Sequence, residues 1–306
     1  MRVLMISGDK NFTREGTSAY ERFMLQASEV EKLELIVWPQ QFFKPFFVRG
    51  QFDVVTSQDP FWRGLAALLA AARTGAKLNI QVHADLHAQS KIKQLLARFV
   101  LRRADSVRVV SKRLEARAAE ITGAPIYVLP VFIDIEQFSH IQKETGKSTA
   151  NILWIGRFEE EKDPLASLEV LRVVREAGID ARLIMLGSGS LKESIRAKAV
   201  HLGVSSHVEF AGWQDPLAYL KKADVVLCTS RAESYGASII EALASGIATV
   251  APDVGIAREA GAIIAPREQL AQKTIEVLMQ HTKGHLALSL PNAQEWAAKW
   301  KQSLTI

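Results

Sequence analysis

A single cysteine, Cys228, is present among 306 residues, so no disulfide can form within the chain, and a reducing compartment is the simpler setting. Long apolar runs are missing as well. The longest, Leu65 to Ala72, is far short of the roughly 20 residues that span a bilayer. The opening Met1-Arg-Val-Leu-Met-Ile-Ser-Gly-Asp9 has neither the length nor the small-residue cleavage site of a signal peptide. The expected location is therefore the cytoplasm, with its membrane face open. No Cys/His zinc spacing, RNA-binding aromatic motif or solenoid-period repeat occurs, which argues against a nucleic-acid partner and a repeat array. Nor is there a paired-aspartate metal motif at a strand end, and neither metal nor cofactor is expected.

The chain is 48% hydrophobic, enough for two cores of ordinary size. The formal net charge of +5 is uneven: residues 1–140 hold 19 Lys or Arg against 14 Asp or Glu, and the remainder 19 against 19. Much of the excess lies in Lys91, Lys93, Arg98, Arg102, Arg103, Arg108, Lys112, Arg113 and Arg117, beside the apolar Leu95, Leu96, Phe99, Val100 and Leu101. Such a helix is either a solvated face packed on its own sheet or a surface for an anionic membrane.

Short apolar strands alternate with helical segments, so the fold class is α/β with two parallel sheets covered on both faces. In the first half the strands are expected at Arg2–Ser7, Leu33–Trp38, Val54–Ser57, Leu78–Val82, Ser106–Val110 and Pro125–Leu129. In the second they are expected at Asn151–Ile155, Ala181–Leu186, His207–Phe210, Val225–Cys228, Ala248–Ala251 and Ala262–Ile264. The polar stretch 141–150 reads as a linker between domains 1–140 and 151–290, with a terminal helix over 291–306. Ligands bind outside the carboxyl ends of such strands, so the site is expected between the domains.

The segment from Thr229 to Pro252 reads as strand end, loop, helix and next strand, and holds two carboxylates, Glu233 in the loop and Glu241 about one turn into the helix. Gly236 lets backbone approach a ligand, the N–H groups after it open toward an anion, and Gly246 stops the helix. Asp163-Pro164 reads as N-cap and first helical residue, so the preceding loop presents Arg157 and Lys162. Two cations and a helix N-terminus suit a diphosphate, and a carboxylate farther in suits a ribose diol. Alone, the cations read equally well as a surface basic loop, and the glutamates as solvated residues.

In order along the chain, Ile152-Leu-Trp-Ile-Gly-Arg-Phe158 with Lys162, Leu186-Gly-Ser-Gly189, Phe210-Ala-Gly-Trp213, Glu233 with Glu241, and Pro252-Asp-Val-Gly255 resemble the motif series of family-4 glycosyltransferases, retaining enzymes of the GT-B fold. The resemblance implies two Rossmann-like domains facing across a cleft and a nucleotide-diphosphate sugar donor, a UDP-sugar ahead of a GDP-sugar. It implies Arg157 and Lys162 on the diphosphate, Glu241 on the ribose and Glu233 near the donor sugar. Tyr235 and the backbone of Gly236 and Ala237 would meet the donor. The turn at Gly187 would line it, and Phe210 and Gly212 would flank the base. Gln81-Val-His83 resembles the strand end that brings a histidine to the donor sugar, although by residue type alone His83 reads as a structural histidine. Glu15-Gly16 stands where the family has paired glycines, so Gly16 is the one donor-binding candidate of that loop and the acceptor-side phosphate contact is not assigned. Trp296, Ala297 and Trp300 resemble the family's last helix, which crosses back to the first domain, and Asp134-Ile-Glu136 reads as structural.

The expected reaction is front-face attack by an acceptor hydroxyl, with the leaving phosphate taking the proton and fixed cations supplying a few kcal/mol per donor. The loop Trp38–Arg49 mixes four Phe with Lys44 and Arg49. It reads equally as tucked onto the core or as touching a membrane interface, and with the basic helix it suggests a lipid-linked or cell-envelope glycan acceptor. Alternatives are another GT-B enzyme, such as a nucleotide-sugar epimerase or a glycogen-type synthase, and a nucleotide-sugar-binding subunit that needs a partner for turnover.

Overall fold

The computed structural model describes residues 1–41, 43–87, 89–144 and 148–305. Phe42 of the aromatic loop and residues 145–147 of the expected linker lie outside the described residues. The chain divides into two compact units, Met1–Ile133 with Leu290–Ile306, and Asp134–Ser289. Residues 134–140, expected with the first domain, cluster with the second unit. In the linker, Glu144 N–H donates to Lys221 O and Lys143 pairs with Asp224.

The first unit runs β1 (Arg2–Ser7), α1 (Ser18–Ser28), β2 (Lys32–Val37), β3 (Val54–Ser57), α2 (Trp62–Thr74), β4 (Lys77–Val82), α3 (Lys91–Leu101), β5 (Ser106–Val109), α4 (Lys112–Ala119) and β6 (Ile126–Val128). The second runs α5 (Glu136–Ser139), β7 (Ala150–Ile155), α6 (Pro164–Glu176), β8 (Ala181–Leu186), α7 (Lys192–His201), β9 (Val208–Gly212) and α8 (Pro216–Leu220). It continues with β10 (Val225–Leu227), α9 (Ala237–Ala244), β11 (Thr249–Ala251), α10 (Ala257–Ala260), β12 (Ile263–Ile264) and α11 (Leu270–Gln280). The last helix, α12 (Ala293–Gln302), belongs to the first unit.

Every pairing between these strands is parallel, in the orders β2-β1-β3-β4-β5-β6 and β12-β11-β10-β7-β8-β9. All twelve expected strands are present. Parallel sheets covered on both faces need continuous apolar runs, and β1, β3, β4, β8, β10 and β11 are almost wholly buried. Cys228 falls just past β10 and is half-buried, not inside the strand as expected; burial first, then the charge of Glu233, pushes its thiol up.

Strand order locates the crevices. The second sheet reverses direction between β7 and β10, and the first between β1 and β3; ligands gather outside carboxyl ends at such switch points. In the second unit the flanking loops are 156–163 and 228–236, which hold Arg157, Lys162 and Glu233.

Helix α3 departs from the sequence expectation of one apolar face. Ala97, Val100 and Leu101 are buried, and an added Cβ at Gly64 of α2 would lie 3.1 Å from Val100. Ile92, Leu95 and Phe99 are instead exposed.

Candidate active site

The second unit joins three loops through Thr229. Its hydroxyl accepts from Trp154 Nε1 at 2.9 Å and donates to the carbonyls of Asp163 and Lys162 at 2.8 and 3.0 Å. This ties the end of β7, the start of α6 and the loop after β10, so Lys162 and Glu233, far apart in sequence, meet. Lys162 Nζ lies 2.5 Å from Glu233 Oε1, which also accepts from the Ser230 hydroxyl at 2.7 Å. Both charged side chains are largely buried, 20% and 9% exposed. Glu233 is thus held by a cation and a hydroxyl, and Lys162, the residue expected to meet the diphosphate, is paired with Glu233.

Arg157 is exposed and pairs with Glu161 at 2.6 Å. Such surface pairs are worth little and exchange readily for a ligand anion. Asp163 occupies the N-cap position but makes no capping bond, contrary to expectation. It has φ +45°, and its carboxylate takes Arg231 Nε at 3.1 Å and Arg267 Nη2.

Helix α9 begins at Gly236, whose φ of +102° few other residues adopt, and no side chain caps it. The N–H groups of Ala237 and Ser238 precede any intrahelical partner and are oriented to bind an anion. Glu241, the fifth helical residue, is half-buried. Burial first, then the negative charge of Asp215, raises its pKa to about 7.

Tyr235 is buried, and its carbonyl accepts the N–H of Ile256 at 2.8 Å. The turn that closes on it contains Gly255, with φ +52°; a Cβ there would sit 2.4 Å from Tyr235 O and 2.8 Å from Glu233 Cβ. The glycine of Pro252-Asp-Val-Gly255 thus lets this turn lie against Glu233. Gly187 donates its N–H to Gly212 O at 2.9 Å, and Phe158 donates to Ser188 O at 2.9 Å, so the β8 loop is bonded to its neighbours. Phe210 packs edge-on to Phe158 at 6.4 Å with Arg196 over its ring at 5.5 Å. The ring expected to flank a base is thus engaged with the core.

In the first unit His83 follows β4. The residue is half-buried by area, yet Nε2 faces inward with no hydrogen-bond partner among the described residues, and burial, then Arg108 and Arg22, push its pKa down to about 3. His83 is a neutral imidazole at physiological pH. Arg108 beneath it donates to Gln81 Oε1 at 2.6 Å, Pro130 O at 2.8 Å and Leu129 O at 3.1 Å, and lies over Trp296 at 5.4 Å. Gly16, with φ +76°, precedes Thr17, whose hydroxyl accepts from Tyr20 N–H and caps α1.

Sequence reasoning missed Ser230, Thr229, Arg267 and Arg108. Ser230 and Thr229 stand next to Glu233 in the segment it singled out, whereas Arg267 reaches Asp163 from 104 residues away. Among the described residues no cluster of three or more His, Cys, Asp or Glu is arranged to hold a metal ion, and no helix is long and apolar enough to cross a membrane.

Two parallel α/β units of this kind are the architecture of the GT-B fold. Residues 149–280 match the family model described as glycosyl transferases group 1, and residues 13–131 the glycosyl transferase 4-like domain. The chain is 24% identical over 271 residues to the 2-deoxystreptamine glucosyltransferase of Streptomyces kanamyceticus, covering 78% of this chain and 70% of that protein. It is 28% identical over 142 residues to a phosphatidyl-myo-inositol mannosyltransferase of Mycobacterium tuberculosis, covering 44% of this chain and 37% of that one. A solved Anabaena protein, Alr3699/HepE with UDP and glucose, shares the fold at TM-score 0.72 and 14% identity, over 99% of this chain and 96% of that one. The chain belongs to the group 1 glycosyl transferases, GT-B enzymes that transfer sugars.

Proposed function

We propose that the chain is a retaining, metal-independent glycosyltransferase that moves a sugar from a nucleotide-diphosphate donor to a hydroxyl of a lipid-linked or cell-envelope glycan. The observation that carries the reading is the arrangement at the β7/β10 switch point. Glu233 is held by Lys162 and Ser230 beside the uncapped N-terminus of α9, with the half-buried Glu241 one turn inside. In this reading the diphosphate takes the N–H groups at Gly236 and Ala237. Arg157 exchanges Glu161 for a phosphate oxygen, and Lys162 shares its charge between Glu233 and the leaving phosphate. Charge developing on that phosphate is met by fixed donors, which act without a metal and are worth a few kcal/mol each. Glu241 accepts the ribose hydroxyls. His83, neutral, hydrogen-bonds the donor sugar, and the leaving phosphate takes the acceptor's proton on the attacked face, so configuration is kept.

A UDP-sugar is proposed ahead of a GDP-sugar. The cytoplasm, at the membrane's inner face, is the proposed location. A thermal-shift screen of UDP- and GDP-sugars is the first test, since a ligand at a hundredfold its Kd adds roughly 2.7 kcal/mol. NMR of the first-formed product is the second; an inverted anomer would end the retaining mechanism, and no stabilisation by any nucleotide sugar would end the donor assignment.

A further inference from the structure

The first unit has a pocket of about 240 Å³ whose lining is separate from the surroundings of His83. Trp38 reaches it from the end of β2, Asp59 and Phe61 from the end of β3, Trp62 and Arg63 from the first turn of α2, and Lys93 from the first turn of α3. Asp59 is fixed from two sides. One oxygen accepts the N–H of Phe61 at 2.8 Å and the other accepts from Arg63 Nη1, whose guanidinium lies flat on Gly8, where a Cβ would come within 2.2–2.6 Å of it. Lys93 Nζ stands 5.5 Å from the Phe61 ring centroid at the pocket's edge.

Indole and phenyl faces beside a fixed carboxylate and guanidinium suit a polyhydroxylated ring. The ring's C–H face stacks on the aromatics, and its hydroxyls donate to Asp59 and accept from Arg63. An ammonium at the rim suits a phosphate attached to that ring.

Beyond Lys93 the surface changes character. Residues 86–104 contain Lys91, Lys93, Arg98, Arg102 and Arg103 and no carboxylate. Ile92, Leu95 and Phe99, spaced three and four apart, form one stripe along α3, with exposures of 69%, 71% and 44%. Helical spacing puts Lys91 and Arg98 on one side of the stripe and Lys93 on the other. Phe43 and Phe47, 70% and 72% exposed, add apolar surface on the segment after β2, which packs against α2. Apolar side chains flanked by unopposed cations match the boundary of an anionic bilayer, which takes both. A nucleic acid would leave Ile92 and Leu95 in water.

We propose that the acceptor is a membrane lipid whose hydroxylated ring is joined to its apolar part through a phosphate. The ring occupies the Trp38–Trp62 pocket, the phosphate meets Lys93, and the Ile92–Leu95–Phe99 stripe lies in the bilayer interface. This rests on the reading of the chain as a transferase to a hydroxyl acceptor. The test is co-sedimentation of the full chain with vesicles of phosphatidylcholine alone, or with an equal mole fraction of phosphatidylinositol or phosphatidylglycerol, at low salt. Phosphatidylinositol vesicles are expected to bind several-fold better than phosphatidylglycerol vesicles of the same charge. Trp62→Ala removes that preference but keeps the binding common to both anionic vesicles, whereas Leu95→Glu lowers binding to both by roughly tenfold. Both residues are exposed, so the fold survives either change.

Equal binding of the two anionic vesicles by the wild type, a preference that survives Trp62→Ala, or Leu95→Glu binding like wild type would each overturn the proposal. Consumption of nucleotide sugar in the same samples separates the two readings. Transfer to a soluble glycan without vesicle binding overturns the lipid site and leaves the transferase standing. Phosphatidylinositol preference without consumption of any donor supports the lipid site and counts against the transferase.

Discussion

Replacing Glu241 with Gln measures what burying this carboxyl costs. The carboxyl moves from 4.5 to about 7 on folding, which corresponds to roughly 3 kcal/mol between its two protonation states. Between these values the native state keeps a proton that the unfolded chain has released. The contribution is therefore fully present below 4.5 and is lost as pH rises through about 7. The amide has nearly the same shape and no proton to lose. Glu241→Gln is thus expected to match wild type near pH 4 and to exceed it by up to about 3 kcal/mol near pH 8, read by urea denaturation across pH. The comparison has to be a difference between proteins, because His83 works in the opposite direction. Its pKa falls from 6.5 to about 3, so its contribution is present above 6.5 and is lost as pH falls through about 3. In wild type the two slopes oppose each other between 4.5 and 6.5; subtracting the variant removes the histidine. Ribose hydroxyls donate to, and so favour, the ionised carboxylate. UDP binding below pH 7 should then release a proton, visible as a calorimetric heat that differs between buffers of different ionisation enthalpy and is absent in Glu241→Gln. A stability difference flat with pH, or no proton release by wild type, would refute the account.

Lys162→Met leaves Glu233, among the described residues, with the Ser230 hydroxyl and no cation, and is expected to cost about 3 kcal/mol, with the double variant Lys162→Met/Glu233→Gln regaining most of it in urea unfolding. Simple additivity of the two single variants would show that the pair is not coupled. Gly255→Ala places a methyl against Tyr235 O and the Glu233 side chain at a φ that alanine disfavours. It should lose about 2 kcal/mol or more and depress kcat more than donor affinity. Trp300→Ala removes a side chain with no exposed area and is expected to cost about 3–5 kcal/mol in chemical denaturation.

The twelve strands were legible because parallel strands buried on both faces must be written as unbroken runs of Val, Ile, Leu and Met. Their ends were less so: Pro125–Leu129 shrinks to Ile126–Val128, since proline donates no ladder hydrogen bond. Helix α3 shows a limit of periodicity. Ile92, Leu95 and Phe99 recur at helical spacing as regularly as Ala97, Val100 and Leu101, and only packing against α2 decides which set is covered. At the site, Gly236 and the two glutamates could be placed from local pattern. The partnership of Lys162 with Glu233 spans 71 residues, and the diversion of Asp163 from capping depends on arginines 68 and 104 residues away; no local rule reaches that far.

Helix α12 also sets an order of maturation. Asn79 and Ser106 donate to the carbonyl of Ser303, and Trp296 Nε1 donates to Pro130 O. A ribosome delivers the first unit's sheet early, but its buried amide and hydroxyl must wait for an acceptor almost 200 residues or more downstream. The second unit is one unbroken segment, Asp134–Ser289, and is all emerged by then. The unit begun first is therefore finished last, and chains truncated before Trp296 and released from the ribosome should resist protease in the second unit while remaining cleavable in the first.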